Sequence, residues 1–266
     1  ANEETNKLLE KCGLEKFDIK DRNIYLLNKN DFDDIFGKEL EKGNIKAVSG
    51  FTPKGQFAVF SLRENITKSL FAKKIFHEDI HFKSFQVAYV KDANKIIGQC
   101  GLLMSPKLNE EKKEAHFFNI NEAVTEELTK RFCNNVVKKH SGFEEETKLI
   151  KEYAENKRKE GKEINEDNII GARKDGQKIS AARLSYGNQR KIFNTLVDKL
   201  YARNKEQFND REEVFDIFAK SVFTGNIVGE KSWGRLFDKT FGSGTLKELA
   251  QKDVDLKELK EFVDKL

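Results

Sequence analysis

Five consecutive residues, His77-Glu78-Asp79-Ile80-His81, combine the side chains from which a hydrolytic metal centre can be built. Residues four apart on a helix share a face, one above the other, so two imidazoles at this spacing can converge on one ion at about 2.0–2.1 Å each. Glu78 sits about a third of a turn round the helix from His77, beside the metal and not on it, where a carboxylate can take a proton from metal-activated water. Two neighbours are unusual for such a motif. Asp79 is charged at a position that is normally uncharged, and Lys83 stands where an apolar residue is usual. A buried, unpaired carboxylate at position 79 would be expensive.

A second motif, Asn119-Ile120-Asn121-Glu122-Ala123-Val124-Thr125-Glu126, opens the next strong helical pattern. With the first, it resembles the gluzincin metallopeptidases, the thermolysin-like clan, whose second motif is a helix bearing NExx(S/T)(D/E). The resemblance implies a Zn2+ cofactor held by His77, His81 and Glu122, with Glu126 supporting a zinc-binding histidine. Glu122 and Glu126 are four apart and point the same way, and a carboxylate on the free ring N–H of a ligand histidine fixes its tautomer. A His2Glu set leaves one position for water. Asn119-x-x-Glu122 also reads as a capping box, which would give Glu122 a purely structural task. The clan often stabilises the oxyanion with a Tyr or His. His116, six residues before Glu122, is the first candidate for that donor, with a structural histidine beside Phe117 and Phe118 as the alternative. Tyr153 and Tyr186 lie on later helices, and His140 near a helix C-terminus reads as structural.

These residues need elements to hold them. Helical spacing runs from Asn65 to about Phe85, with Ile66, Leu70, Phe71 and Ile75 on its apolar side. Before it come a short strand at Ile24–Leu27, a helix at 31–36 capped by Asn30, and two alternating segments, Ile45–Phe51 and Gln56–Leu62, around a Pro-Lys-Gly turn. In the clan an edge strand above the metal helix takes up extended peptide, a task that falls to Gln56–Leu62 or Ile45–Phe51. A further strand-prone stretch, Ile96–Met104, precedes the glutamate helix, which the pattern carries from about 120 to Ser141-Gly142. Residues 144–180 read as a protruding helix and a mobile connector. Helices follow at Ala181–Asn204, Glu212–Phe223, Ser232–Phe241 and Asp255–Leu266.

The expected fold is therefore α+β and mostly helical. A zincin-like part with a small mixed sheet occupies residues 1–142, with its active-site helix at about 65–85 and its glutamate helix at about 120–140. A helical part, 143–266, packs on or over the site. The resemblance covers about residues 45–140. The tail, with Phe223-Thr224-Gly225-Asn226 and Phe241-Gly242-Ser243-Gly244-Thr245-Leu246, is loosely similar to small bacterial zincin-like proteins.

Composition narrows the function classes. The 49 basic and 45 acidic residues are interspersed and leave a net charge of only +4. That is a mixed surface, without the concentrated basic footprint of a nucleic-acid binder. Cys12, Cys100 and Cys133 form no CxxC pair or disulfide framework, as in a reducing compartment. No apolar run approaches the ~20 residues of a membrane span, and the first residues have no leader pattern. The expectation is a soluble, cytoplasmic zinc peptide hydrolase with Glu78 as general base, acting on a peptide or protein substrate. Two other readings are a catalytically inactive zincin-like binding domain, and a metal-free helical protein whose basic residues 157–162 and 173–178 meet an acidic partner or nucleic acid. Interleaved Glu and Asp favour a solvated helix over that last reading.

Overall fold

A computed structural model describes residues 1–28, 30–32, 34, 49–52, 57–62, 66–91, 94–104 and 115–266. The fold is mixed α+β and mostly helical, and it divides into two compact units built from interleaved segments.

The first unit comprises residues 1–8, 15–82 and 128–185. Helix α1 (Asn2–Lys11) begins in it, and strands β1 (Ile24–Asn28), β2 (Ser49–Thr52) and β3 (Phe57–Leu62) form a small mixed sheet. Its order is β1-β3-β2, with β1 parallel and β2 antiparallel to β3. β3 is thus the inner strand, and the expectation that Gln56–Leu62 offers a free edge is corrected. Among the described residues the edges are β1 and β2. Phe60 on β3 is buried edge-to-face against Phe71, 6.1 Å between centroids, on helix α2 (Lys68–Lys83). No Gly or Pro interrupts residues 66–91, so α2 runs unbroken. Phe76 on α2 stacks flat on Phe132 of helix α3 (Phe118–Asn135) at 4.0 Å, which ties these two helices together.

The rest of this unit corrects the expected mobile connector. Helix α4 (Glu144–Lys159) is followed by a hairpin, β7 (Ile169–Asp175) and β8 (Lys178–Arg183). Ile150 and Ala154 of α4 pack with Ile169 and Ala172 of β7, and Tyr153 and Ile179 border that core. The hairpin turns through Gly176, whose positive φ suits a two-residue loop. Asp175-Gly176 between alternating residues was its legible signal. Residues 143–266 are accordingly not all helical, and 181–183, expected to open a helix, pair with β7 instead.

The second unit comprises residues 9–14, 83–127 and 186–266. Strands β4 (Gln86–Lys91), β5 (Asn94–Cys100) and β6 (Leu103–Met104) form an antiparallel sheet, of which β4 was unforeseen. Helices α5 (Gly187–Arg203), α6 (Arg211–Thr224), α7 (Trp233–Phe241), α8 (Thr245–Lys252) and α9 (Leu256–Lys265) follow. Their starts obey local chemistry: Asp210, Ser232 and Asp255 each accept a backbone N–H of the first turn. Trp233 is fully buried among Phe117, Phe218 and Phe237, with Phe193 beside Phe218.

Helix α3 is unbroken over Phe118–Asn135. It ends at Asn135 rather than at Gly142. The β-branched pair Val136-Val137 leaves the helix, Val137 turns into the core, and two 3-10 turns lead on to α4. The helix expected at 31–36 is described only at residues 30–32 and 34, which are helical; the rest, and the turn at 53–56, lie outside the described residues. Among the described residues no helix is long and apolar enough to cross a membrane.

Candidate metal centre

The two helices that carry the motifs are each held at the N-terminus by a carboxylate from far along the chain. Lys68 N and Ser69 N donate to the two carboxylate oxygens of Glu146 at 2.8 and 3.0 Å, while Thr67 Oγ1 accepts from Leu70 N. Asn119 N and Ile120 N donate to the two oxygens of Asp253 at 3.0 and 3.1 Å, and Asn119 Nδ2 donates to the Asp253 carbonyl. A negative group at a helix N-terminus satisfies orphan N–H donors and matches the helix dipole. Asp253 is wholly buried, and burial pushes its carboxyl from 3.8 up to about 7 against the lowering effect of the N–H groups of Asn119, Ile120 and Phe118. Neither acid was found from sequence. They lie 77–78 and 133–134 residues from the amides they cap, and no short-range signal links them.

The caps bear on the competing reading of Glu122. In a capping box the glutamate reaches back to the N-cap amide. Here the Asn119 amide donates to the Asp253 carboxylate and its side chain to the Asp253 carbonyl, and α3 already begins at Phe118, so Asn119 is not the N-cap that a capping box with Glu122 requires. Asn121 is also a structural anchor: its Oδ1 accepts from Leu102 N at 2.9 Å and holds the Gly101-Leu102 turn between β5 and β6.

His77, His81 and Glu122 come together. One ligand atom from each lies within 4.8 Å of the others, and among the described residues this is the group of three His, Cys, Asp or Glu side chains with that geometry. The two Nε2 atoms are 3.2 Å apart, with the rings inclined at 73°. Two nitrogens on a tetrahedral ion at about 2.0–2.1 Å are separated by about 3.3–3.4 Å, so the observed spacing is that of two corners of such a site. His77 and Glu122 are buried and His81 is half-buried. Two neutral imidazoles and one carboxylate are a donor set suited to zinc, with a fourth position left over.

The remaining motif residues separate into groups. Glu78 is buried one position round the helix from His77, and Glu126 is wholly buried one turn beyond Glu122 on α3. Asp79 projects about 200° from His77, away from the imidazole pair. It is buried and borders a cavity of about 310 Å³ with Ile19, Ile24, Ala72, Ile75 and Phe132. Lys83 is likewise buried. Cys100 was not singled out as part of the site, yet its thiol feels Glu122. Burial chiefly raises its pKa, the Glu122 charge adds to that, and Ser84, 3.6 Å away, opposes it.

His116 does not join the cluster. Its backbone pairs with Met104, and Nδ1 lies 3.0 Å from the Ala250 carbonyl, so Nδ1 must be the donor. In the neutral ring Nε2 then has no proton, and His116 can donate to an oxyanion only as imidazolium. Tyr153 packs against the core between α4 and the β7–β8 hairpin, and Tyr186 precedes α5 with a φ of +53°. His140 Nδ1 accepts from Gly142 N, a local structural contact. Comparison of the chain with protein-family models, with curated proteins and with solved structures found no match.

Proposed function

We propose that the chain is a zinc-dependent peptide hydrolase of gluzincin type, with His77, His81 and Glu122 as metal ligands and Glu78 as general base. The observation that carries this reading is the convergence of His77, His81 and Glu122 within 4.8 Å, with the two imidazole Nε2 atoms 3.2 Å apart, near the spacing of two tetrahedral corners. His77, His81 and Glu122 would hold the ion, and zinc there would supply the positive charge that activates a water and polarises a carbonyl. Glu78, beside the ligand pair, accepts the proton of the attacking water and delivers it to the leaving amine, so the carboxylate is regenerated in each turnover. Glu126, on the Glu122 face of α3, is the carboxylate that orients a ligand imidazole. Burial of these groups keeps the local dielectric low, which strengthens every charge interaction in the site. An extended peptide would add to a sheet edge, which among the described residues β1 and β2 offer and the inner strand β3 does not.

A second reading follows from the same 3.2 Å separation, which is also within reach of a hydrogen bond between the two imidazoles in a metal-free binding protein. Elemental mass spectrometry of protein purified without a metal-affinity step separates the two. One zinc per chain, lost in Glu122→Ala, supports the metal site; no zinc after incubation with the ion refutes it. Glu78→Gln then separates enzyme from inactive domain, because an enzyme loses peptide-library hydrolysis while retaining its zinc.

A further inference from the structure

We infer that the cavity bordered by Asp79 is a second binding site, for a compact apolar molecule of about two fused rings that carries one hydrogen-bond donor. This site does not depend on zinc. Ala72, Ile75 and Asp79 follow one another at spacings of three and four residues and so form a single stripe along α2. At about 100° per residue, that stripe faces roughly opposite to His77 and His81. The cavity and its lining residues belong to the first unit.

The walls suit an apolar guest. Ile19, Ile24, Ala72 and Ile75 line the cavity and are only half-buried, so part of their aliphatic surface is left uncovered around it. Phe132, stacked on Phe76, adds an aromatic ring to the same wall. Apolar surface gathered round a hollow with few polar groups is the general character of small-molecule pockets, which run upward from about 300 Å³. The volume here is about 310 Å³. That is roughly twice the ~150 Å³ of an apolar cavity that admits one benzene ring, which leads to a guest of about two rings.

Asp79 sets the polar end of the guest. It is the one acidic side chain among the described lining residues, and it is 4% exposed yet borders the cavity. A carboxylate has about four acceptor positions, so contacts it makes within the protein leave others for a guest. Because an ionised carboxylate only accepts, the matching group is a donor, a hydroxyl or an amine. Asp79 thereby gains a task that accounts for a charge at a motif position that is normally uncharged, and the task lies outside the metal centre.

The test uses the full chain with 2-naphthol and its isostere 2-methylnaphthalene, in which a methyl group replaces the donor hydroxyl. In equilibrium dialysis both should bind, the naphthol about tenfold more tightly, the worth of one hydrogen bond to a charged acceptor. Asp79→Asn should narrow that preference to about threefold, because a neutral acceptor is roughly half as strong. Ala72→Phe, which fills the cavity, should abolish binding of both probes in a chain whose thermal melt shows it folded. A measurement on the parent chain needs no variant: with methyl-labelled isoleucines, the naphthol should shift the NMR signals of Ile19, Ile24 and Ile75. Ile150, in the α4 core, should stay in place. No binding of either probe, shifts confined to other isoleucines, or binding that survives in folded Ala72→Phe would overturn the site. Equal affinities for the two probes in the parent chain would overturn the role of Asp79 and the donor requirement with it.

Discussion

Replacing Asp253 by Asn should flatten the dependence of stability on pH. The folded chain holds a proton on Asp253 up to about pH 7, while an unfolded aspartate releases it near 3.8. Across that window the native state binds more protons than the unfolded state, so this group makes the fold less stable as pH rises. A window of roughly three pH units at 1.36 kcal/mol each amounts to about 4 kcal/mol, full stability contribution below 3.8 and loss complete above 7. Asn keeps one oxygen acceptor for the α3 amides and carries no charge to bury. It forfeits the second acceptor, at a cost of about 1–3 kcal/mol that does not vary with pH. Urea unfolding of both chains between pH 4 and 8 reads the difference directly. The variant's stability relative to the parent should climb by about 4 kcal/mol over that range. Parallel curves would refute the reasoning and mean that the amides of Asn119 and Ile120, with the helix dipole, keep the carboxylate ionised throughout.

Glu146→Ala should destabilise the fold by about 2 kcal/mol, measured by urea unfolding at pH 7, because two α2 amides lose their acceptor. Gly225→Ala should cost more than about 2 kcal/mol, since φ is +68° and a Cβ would meet the Phe85 ring at 2.1 Å; the melting temperature checks it. If zinc binds the native state alone, adding it at about 100 times Kd should stabilise the chain by about 2.7 kcal/mol. A chelator should reverse that gain, and His81→Ala should abolish it, both readable in thermal melts.

The motifs were legible because their residues act at short range. Four-residue spacing puts His77 and His81 on one helix face whatever else the chain does, and the same holds for Glu122 and Glu126. Helices α6, α7 and α9 were legible for a related reason: their caps and apolar repeats lie within a few residues of one another. Residues 169–183 went unread as strands because highly charged flanks masked the brief apolar stretch at Ile169-Ile170 and the Asp-Gly turn. The reach of β8 into 181–183 illustrates a strand pairing that overrides local helical preference.

What the residue order alone determined was which side chains could act together and on which helices they would ride. Tertiary structure decided that α2 and α3 pack through Phe76 on Phe132, that β3 is an inner strand, and that Glu146 and Asp253 hold the two helix starts. It also set Lys73 against Ser185, 112 residues away. Such pairings depend on which buried surfaces meet, and contacts between segments so distant in the chain leave no periodic signature in the order of residues.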